Sequence, residues 1–220
     1  SSVTSFFIDG NTIYFFEKIK SGGELYEYIP NSNKKTLIYR GLFSDLYGFA
    51  RKNNIFIGTK PAVNMTGFIF KLDKTENTLT KITSGNTLLG VPNQNGTSFL
   101  TTEFFGRGAQ SNLINTATKE KNPLSIKTLK DKCVPNLSVR TYMFCGVPEN
   151  MPENMPDTWY MGKVSTNDAL YLIDSETGSS SVLTTTDEEV DVIHPQSSQY
   201  SGILTFINKK NFNPWIVVIQ

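Results

Sequence analysis

Two cysteines, a single histidine and a few carboxylates are the residues with which this chain of 220 could do chemistry. Cys133 and Cys145 lack the additional sulfur or imidazole ligands that a tetrahedral zinc site needs. They lie in two β-like runs, Lys132–Pro135 and Thr141–Val147, joined by the turn-prone Asn136-Leu-Ser-Val-Arg140. A turn centred on Val139 sets the cysteines directly opposite each other, with Cβ atoms about 4.5–5.5 Å apart. Modest adjustment then allows a disulfide. The registry leaves two outcomes open: a pair of buried thiols in a reducing cytosol, or a disulfide in an oxidising compartment. His194, followed by Pro195, has neither a second histidine nor a serine motif to work with, so a packed structural imidazole is the expectation. Among the carboxylates, Asp45, Glu103, Asp187, Glu188 and Asp191 fall near the ends of β-like runs. Two such groups ~5–10 Å apart would hydrolyse a glycoside. Asp187-Glu-Glu189 reads more simply as a solvated acidic turn between repeats.

Other motifs carry less. Asp73-Lys-Thr-Glu-Asn77 and Asp174-Ser-Glu-Thr-Gly178 have the composition of calcium loops without their alternating ligands and closing glutamate, so turn chemistry explains them. Gly106-Arg-Gly108 is too short for a phosphate loop, and Lys209-Lys210 reads as a surface pair. Sequons at Asn64, Asn95 and Asn136 matter only in a glycosylating host. The least generic stretch is Pro148-Glu-Asn-Met-Pro-Glu-Asn-Met-Pro156, which cannot continue a central strand because proline lacks the ladder donor. It leads into Asp157, Trp159 and Tyr160. These three are the candidate binding residues, either as an exposed aromatic hot spot for a protein or glycan or as a plug that buries its rings. The sequence favours the plug: an ordered loop, Trp159 packed on its own repeat, and Asp157 accepting backbone amides in an Asx turn.

The elements that must position these residues are strands. No window shows a helical apolar stripe; short β-branched and aromatic runs alternate with Gly, Asn, Pro and Asp turns. Asp9-Gly-Asn11 is a tight hairpin signal. The runs group in fours, and Leu25, Phe68, Leu113, Leu170 and Trp215, each in the third run of its set, recur at intervals of 43, 45, 57 and 45 residues. Four strands per period of 40–50 residues is the pattern of β-propeller blades. A two-sheet sandwich fits the strands but not the period. The reading is therefore all-β, a propeller of about five four-stranded blades, roughly 3–41, 42–86, 87–128, 129–186 and 187–220. Leu124–Thr128 is the expected outer strand of the third blade, and the fifth set stops before an outer strand. Residues 1–220 then form either a single propeller domain or the C-terminal portion of a larger one.

Composition excludes several classes. With 21 basic and 20 acidic residues scattered in both signs, the chain has no footprint for nucleic acid. No apolar run approaches the ~20 residues of a spanning helix, so this segment does not insert into a membrane, and Ser-Ser-Val-Thr at the start does not read as a signal peptide. No cofactor or metal is expected.

Lys132-Cys-Val134, Tyr142-Met-Phe-Cys-Gly-Val-Pro148 and Pro156-Asp-Thr-Trp-Tyr-Met-Gly162 resemble a WD40-like propeller family of uncultivated, small-genome candidate-phylum bacteria. Phe43-Ser-Asp-Leu46, Thr59-Lys-Pro-Ala62, Gly67-Phe-Ile-Phe70, Asn167-Asp-Ala-Leu-Tyr-Leu-Ile-Asp174 and Leu204-Thr-Phe-Ile-Asn-Lys-Lys-Asn211 extend the resemblance from about residue 40 onward. Cys133-Val-Pro-Asn136 departs from the family's usual Cys-Val-Trp-Ser. The resemblance implies a membrane helix before the propeller, here preceding Ser1, and an outward-facing domain at the cell envelope or outside the cell. It favours a Cys133–Cys145 disulfide. The expected function is non-enzymatic binding or scaffolding of a protein or glycan, the alternative being a glycosidase-like propeller using the carboxylates named above.

Overall fold

The computed structural model describes residues 2–51, 54–106, 108–199 and 202–219. Arg107, in the middle of the Gly106–Gly108 stretch, lies outside them. Five antiparallel sheets follow one another along the chain, each adding strands in sequence order. The first contains β1 (Ser2–Asp9), β2 (Thr12–Ile19), β3 (Gly22–Ile29) and β4 (Lys34–Gly41), and the second β5 (Leu46–Arg51), β6 (Asn54–Thr59), β7 (Thr66–Asp73) and β8 (Thr78–Asn86). The third contains β9 (Leu89–Pro92), β10 (Ser98–Phe105), β11 (Gly108–Asn115) and β12 (Lys121–Pro123). The fourth is built from β13 (Cys133–Pro135), β14 (Tyr142–Pro148), β15 (Asp168–Asp174) and β16 (Ser180–Thr184). The fifth has three strands, β17 (Val192–Ser197), β18 (Ile203–Asn208) and β19 (Pro214–Val218). This is the five-bladed β-propeller arrangement that the repeat period predicts.

Local chemistry explains the meandering order. Each four-stranded sheet turns from its third to its fourth strand through a residue of positive φ: Asn33, Asn77, Lys119 and Gly178. In three of these turns a side chain at the end of the third strand caps the loop. Asp73 Oδ1 accepts Thr75 N at 2.8 Å, Asn115 Oδ1 accepts Ala117 N at 2.9 Å, and Asp174 Oδ1 accepts Glu176 N at 2.8 Å. The two calcium-like stretches are thus Asx turns.

The first two sheets form one compact unit and the last three another. In the first unit Phe16, Leu25, Leu46 and Ile57 are buried together. Gly48 lets β5 approach β1 there, since a Cβ at that position would meet the Phe7 ring at 2.2 Å. In the second unit the opening strands of the three sheets neighbour one another, β13 lying beside both β9 and β17. Gly146 on β14 has the same use as Gly48, because its Cβ would fall 2.7 Å from the Val192 Cβ.

Two expectations need correction. The outer strand of the third sheet is Lys121–Pro123, not Leu124–Thr128. Pro123 ends the ladder for want of a donor, and the chain then turns away to bury Leu124, Ile126 and Leu129. His194 is exposed rather than packed. It occupies a bulge in β17 with φ of 51°, where the pairing with β18 skips from Ile193 to Gln196, and Pro195 beside it cannot donate.

Candidate functional site

The site is best built outward from the cysteines. β13 pairs with β14 so that Cys133 lies opposite Cys145, and Asn136 Oδ1 fixes the intervening turn by accepting Ser138 N at 2.8 Å and Val139 N at 3.0 Å. The two sulfurs are bonded, at 2.11 Å, and both residues are buried. Replacing both cysteines by alanine is expected to lower stability by about 3 kcal/mol, the chain-entropy value for so short a loop, as read from urea denaturation. An unchanged midpoint would show that the hairpin is held by its neighbours alone.

Directly before Cys133, the Lys132 side chain is completely buried and enters a polar cluster. Its Nζ donates to Asp168 Oδ2 at 2.5 Å, to Thr166 Oγ1 at 2.8 Å and to Asp191 Oδ1. Asp191 also accepts the Trp159 indole Nε1 at 3.0 Å and the Thr166 amide at 3.2 Å. Asp168 Oδ2 accepts Val192 N at 2.8 Å, whereas Asp168 Oδ1 is buried without a hydrogen-bond partner among the described residues. One ammonium thus serves two carboxylates, and they respond differently. Burial pushes Asp168 above its ordinary value despite Lys132 and the Val192 amide. Burial acts upward on Asp191 too, but Lys132, Trp159 and Thr166 outweigh it and hold that carboxyl below its ordinary value.

The signs give a pH test. Asp191, depressed in the fold, contributes stability that is full at pH values above its unfolded pKa of about 4 and is lost as pH falls through the folded value. Asp168, raised in the fold, contributes stability that is full below about pH 4 and is lost as pH rises through its folded value. Asp191→Asn should therefore cost about 1–3 kcal/mol at pH 7, where a buried charged hydrogen-bond acceptor is replaced, and Asp168→Asn clearly less. The gap between the two should shrink as pH is lowered to about 4. Urea midpoints of both variants at the two pH values measure it, and a gap indifferent to pH would rule out the assignment.

The long loop closes over this cluster. Asp157–Tyr160 forms one turn of helix, α1, and Trp159 is buried at 3% exposure, as the plug reading expects. It packs on Leu129 and Met155 of its own repeat, but its cluster also contains Leu89, Phe104 and Ala109 of the third sheet, with Ile193 of the fifth against it. The reason is the indole N–H, whose acceptor Asp191 sits at the start of the fifth repeat. Asp157 does not form the expected Asx turn: among the described residues its carboxylate accepts no hydrogen bond, and backbone carbonyls of Pro156 and Asp157 take the Tyr160 and Met161 amides instead. Tyr160 is 43% exposed, and its hydroxyl donates to Asp131. Lys209 is also not the surface residue the sequence suggests. Its Nζ donates to Trp159 O at 2.6 Å and to Val164 O at 3.3 Å, and it stands 4.2 Å from the centre of the indole ring.

The remaining carboxylates do not gather. Glu103 pairs with Lys121, Asp45 with Lys18, and Asp187 and Glu188 are exposed in a turn. Sequence reasoning missed Lys132 and Asp168 as cluster members and considered Asp191 only as a possible catalyst. The available signal was their setting, ionisable residues inside otherwise apolar β-branched or cysteine-containing runs.

In front of the anchored Trp159, the first half of the loop walls a cleft of about 400 Å³. Gly108 and Ala109 on β11 form one side, Ser125–Lys127 the second, and Val147–Met151 with Tyr171 the third. Lys127 and Glu149 are exposed at its margin.

A β-propeller carrying a loop-walled cleft is the class that fold and site define. Solved structures agree on the fold. TolB from Acinetobacter baumannii aligns with a TM-score of 0.52 at 13% identity, over 94% of this chain and 51% of that one. The β-propeller domain of the trilobed protease from Pyrococcus furiosus gives 0.57 at 12%, over 98% and 68%. The acylaminoacyl peptidase of Pyrococcus horikoshii gives 0.64 at 10%, over 97% and 37%. The chain thus spans about half the length of the Acinetobacter TolB. No protein-family model matches the sequence, and no curated protein does.

Proposed function

We propose that the chain is a non-enzymatic binding or scaffolding module that takes a protein or glycan ligand, not nucleic acid, in the cleft beside the proline loop. One observation carries this reading. Among the described residues, the place where one candidate carboxylate, Asp191, meets a second carboxylate, Asp168, is sealed from solvent with Lys132 between them, while the accessible cleft presents Glu149 alone among carboxylates. Hydrolysis by a carboxylate pair needs both groups on the substrate. The proline-restricted loop, anchored by Trp159, Lys209 and Asp191, instead gives a wall already ordered before ligand arrives, which lowers the entropy lost on binding.

The motif resemblance to envelope-anchored WD40-like propellers supports a position at the cell envelope or outside the cell, with an anchor preceding Ser1. The Cys133–Cys145 bond fits an oxidising compartment, and among the described residues no helix is long and apolar enough to cross a membrane.

The test uses Ser125→Trp, which places a bulky ring in the cleft from an exposed position. The wild-type chain is offered a phage-displayed random peptide library and a glycan array. Capture by the wild type that Ser125→Trp abolishes supports the reading, and capture from neither library, or capture indifferent to the substitution, overturns it. Turnover of aryl glycosides that Glu149→Gln abolishes would establish the enzymatic alternative.

A further inference from the structure

The cleft is bounded largely by main chain, and this selects among ligand classes. β11 pairs with β10 along its length, from Phe105 opposite Gly108 to Ser98 opposite Asn115, but with β12 only at Asn112–Ile114. Among the described residues, its outer edge is therefore without a strand partner at Gly108–Gln110. The direction of the edge groups follows from alternation. Ser111 O accepts Leu124 N at 2.9 Å on the outer side, so Ala109, two residues earlier, turns its own N–H and C=O to that side. Ala109 lines the cleft, and among the described residues its N–H and C=O have no hydrogen-bond partner on that side. Across from it, Ser125, Ile126 and Lys127 run outside any strand, and among the described residues no backbone hydrogen bond is made by their amides. An unpaired stretch of strand edge is a template on which another extended chain can pair.

We propose that the cleft binds an extended polypeptide segment, which adds as a strand to the outer edge of β11 at Ala109. The proposal rests on the binding reading above and names its ligand class. A peptide matches the requirement, because alternate residues of an extended chain present an N–H and a C=O together, spaced for one neighbouring strand. Ala109, Val147 and Met151 offer an apolar surface to one side chain, and Lys127 and Glu149 offer opposite charges to its neighbours. A glycan fits less well. Sugar rings are held by flat, accessible aromatic faces, and the aromatic residue here, Tyr171, is only partly exposed.

The experiment takes the strongest peptide selected from the phage library, labels it with a fluorophore, and methylates each backbone nitrogen in turn. Methylation at one or two alternate positions should weaken binding about tenfold or more, the loss of one edge hydrogen bond. Ala109→Pro, which deletes the protein's donor, should weaken the unmodified peptide to a similar extent, with the circular dichroism spectrum of the folded protein retained at the assay temperature. Ile216→Pro, on the outer edge of β19, should bind as the wild type does. If Ala109→Pro fails to fold, the methylation series decides by itself. Binding that ignores both methylation and Ala109→Pro overturns the proposal. Glycan capture blocked by Ser125→Trp, with no peptide enriched, also overturns it but leaves the binding module standing. Capture of neither class brings down both.

Discussion

Replacing Lys132 by methionine is expected to destabilise the second unit by about 3–5 kcal/mol, because it leaves two buried carboxylates without their shared cation. Among the described residues no other ammonium is hydrogen-bonded to either carboxylate. Lys132 Nζ is the ammonium bonded to Asp168 and Asp191, and Lys209, the other lysine near the cluster, is committed to the Trp159 and Val164 carbonyls. Methionine matches the stem of lysine in length, so the loss measures charge and hydrogen bonding rather than packing. Adding Asp191→Asn to Lys132→Met should recover part of the loss, since one uncompensated charge disappears with it. A double-mutant cycle by urea denaturation measures that coupling. Strict additivity of the two substitutions would mean that the cluster is not held together by its charges.

Trp159→Ala is the second large effect, at about 3–5 kcal/mol for a buried indole. Two losses combine: the cavity left among Leu89, Phe104 and Met155, and the Nε1 donor removed from Asp191. Trp159→Phe separates them. It retains most of the apolar surface and loses the donor, and should cost about 1–3 kcal/mol. Melting followed by far-ultraviolet circular dichroism reads both. A Trp159→Ala protein with unchanged melting but abolished ligand capture would make the ring a contact residue instead of an anchor.

Strands and their grouping were readable because each rests on local rules. Asp9-Gly-Asn11 and Asp174–Gly178 encode their turns in residues whose φ preferences and side-chain acceptors act over three or four positions. The cysteine registry was readable for the same reason, since it depends only on the turn between the two runs. Asp191 was not assigned correctly, because a carboxylate flanked by Val190 and Val192 looks alike in sequence whether it ends in solvent or meets a lysine from another sheet. Lys209 misled in the same way. It stands next to Lys210, which does pair at the surface with Glu189, and only the return of a distant loop turns one of the two inward. The sequence favours a plug at Trp159 but carries no sign of its acceptor, which lies 32 positions along the chain.

The tie between the proline loop and Lys209 changes what counts as a separable piece of this protein. By sequence the loop belongs to the fourth repeat, yet its carbonyls and indole are gripped by a lysine and an aspartate of the fifth. The repeats are therefore not interchangeable cassettes. A fourth repeat excised at its sequence boundaries and grafted elsewhere would carry an orphaned loop, and the recipient fifth repeat would lack its clasp. In native-state hydrogen exchange the amides of 158–164 should open together with those at the start of β17, as one cooperative segment shared by two blades.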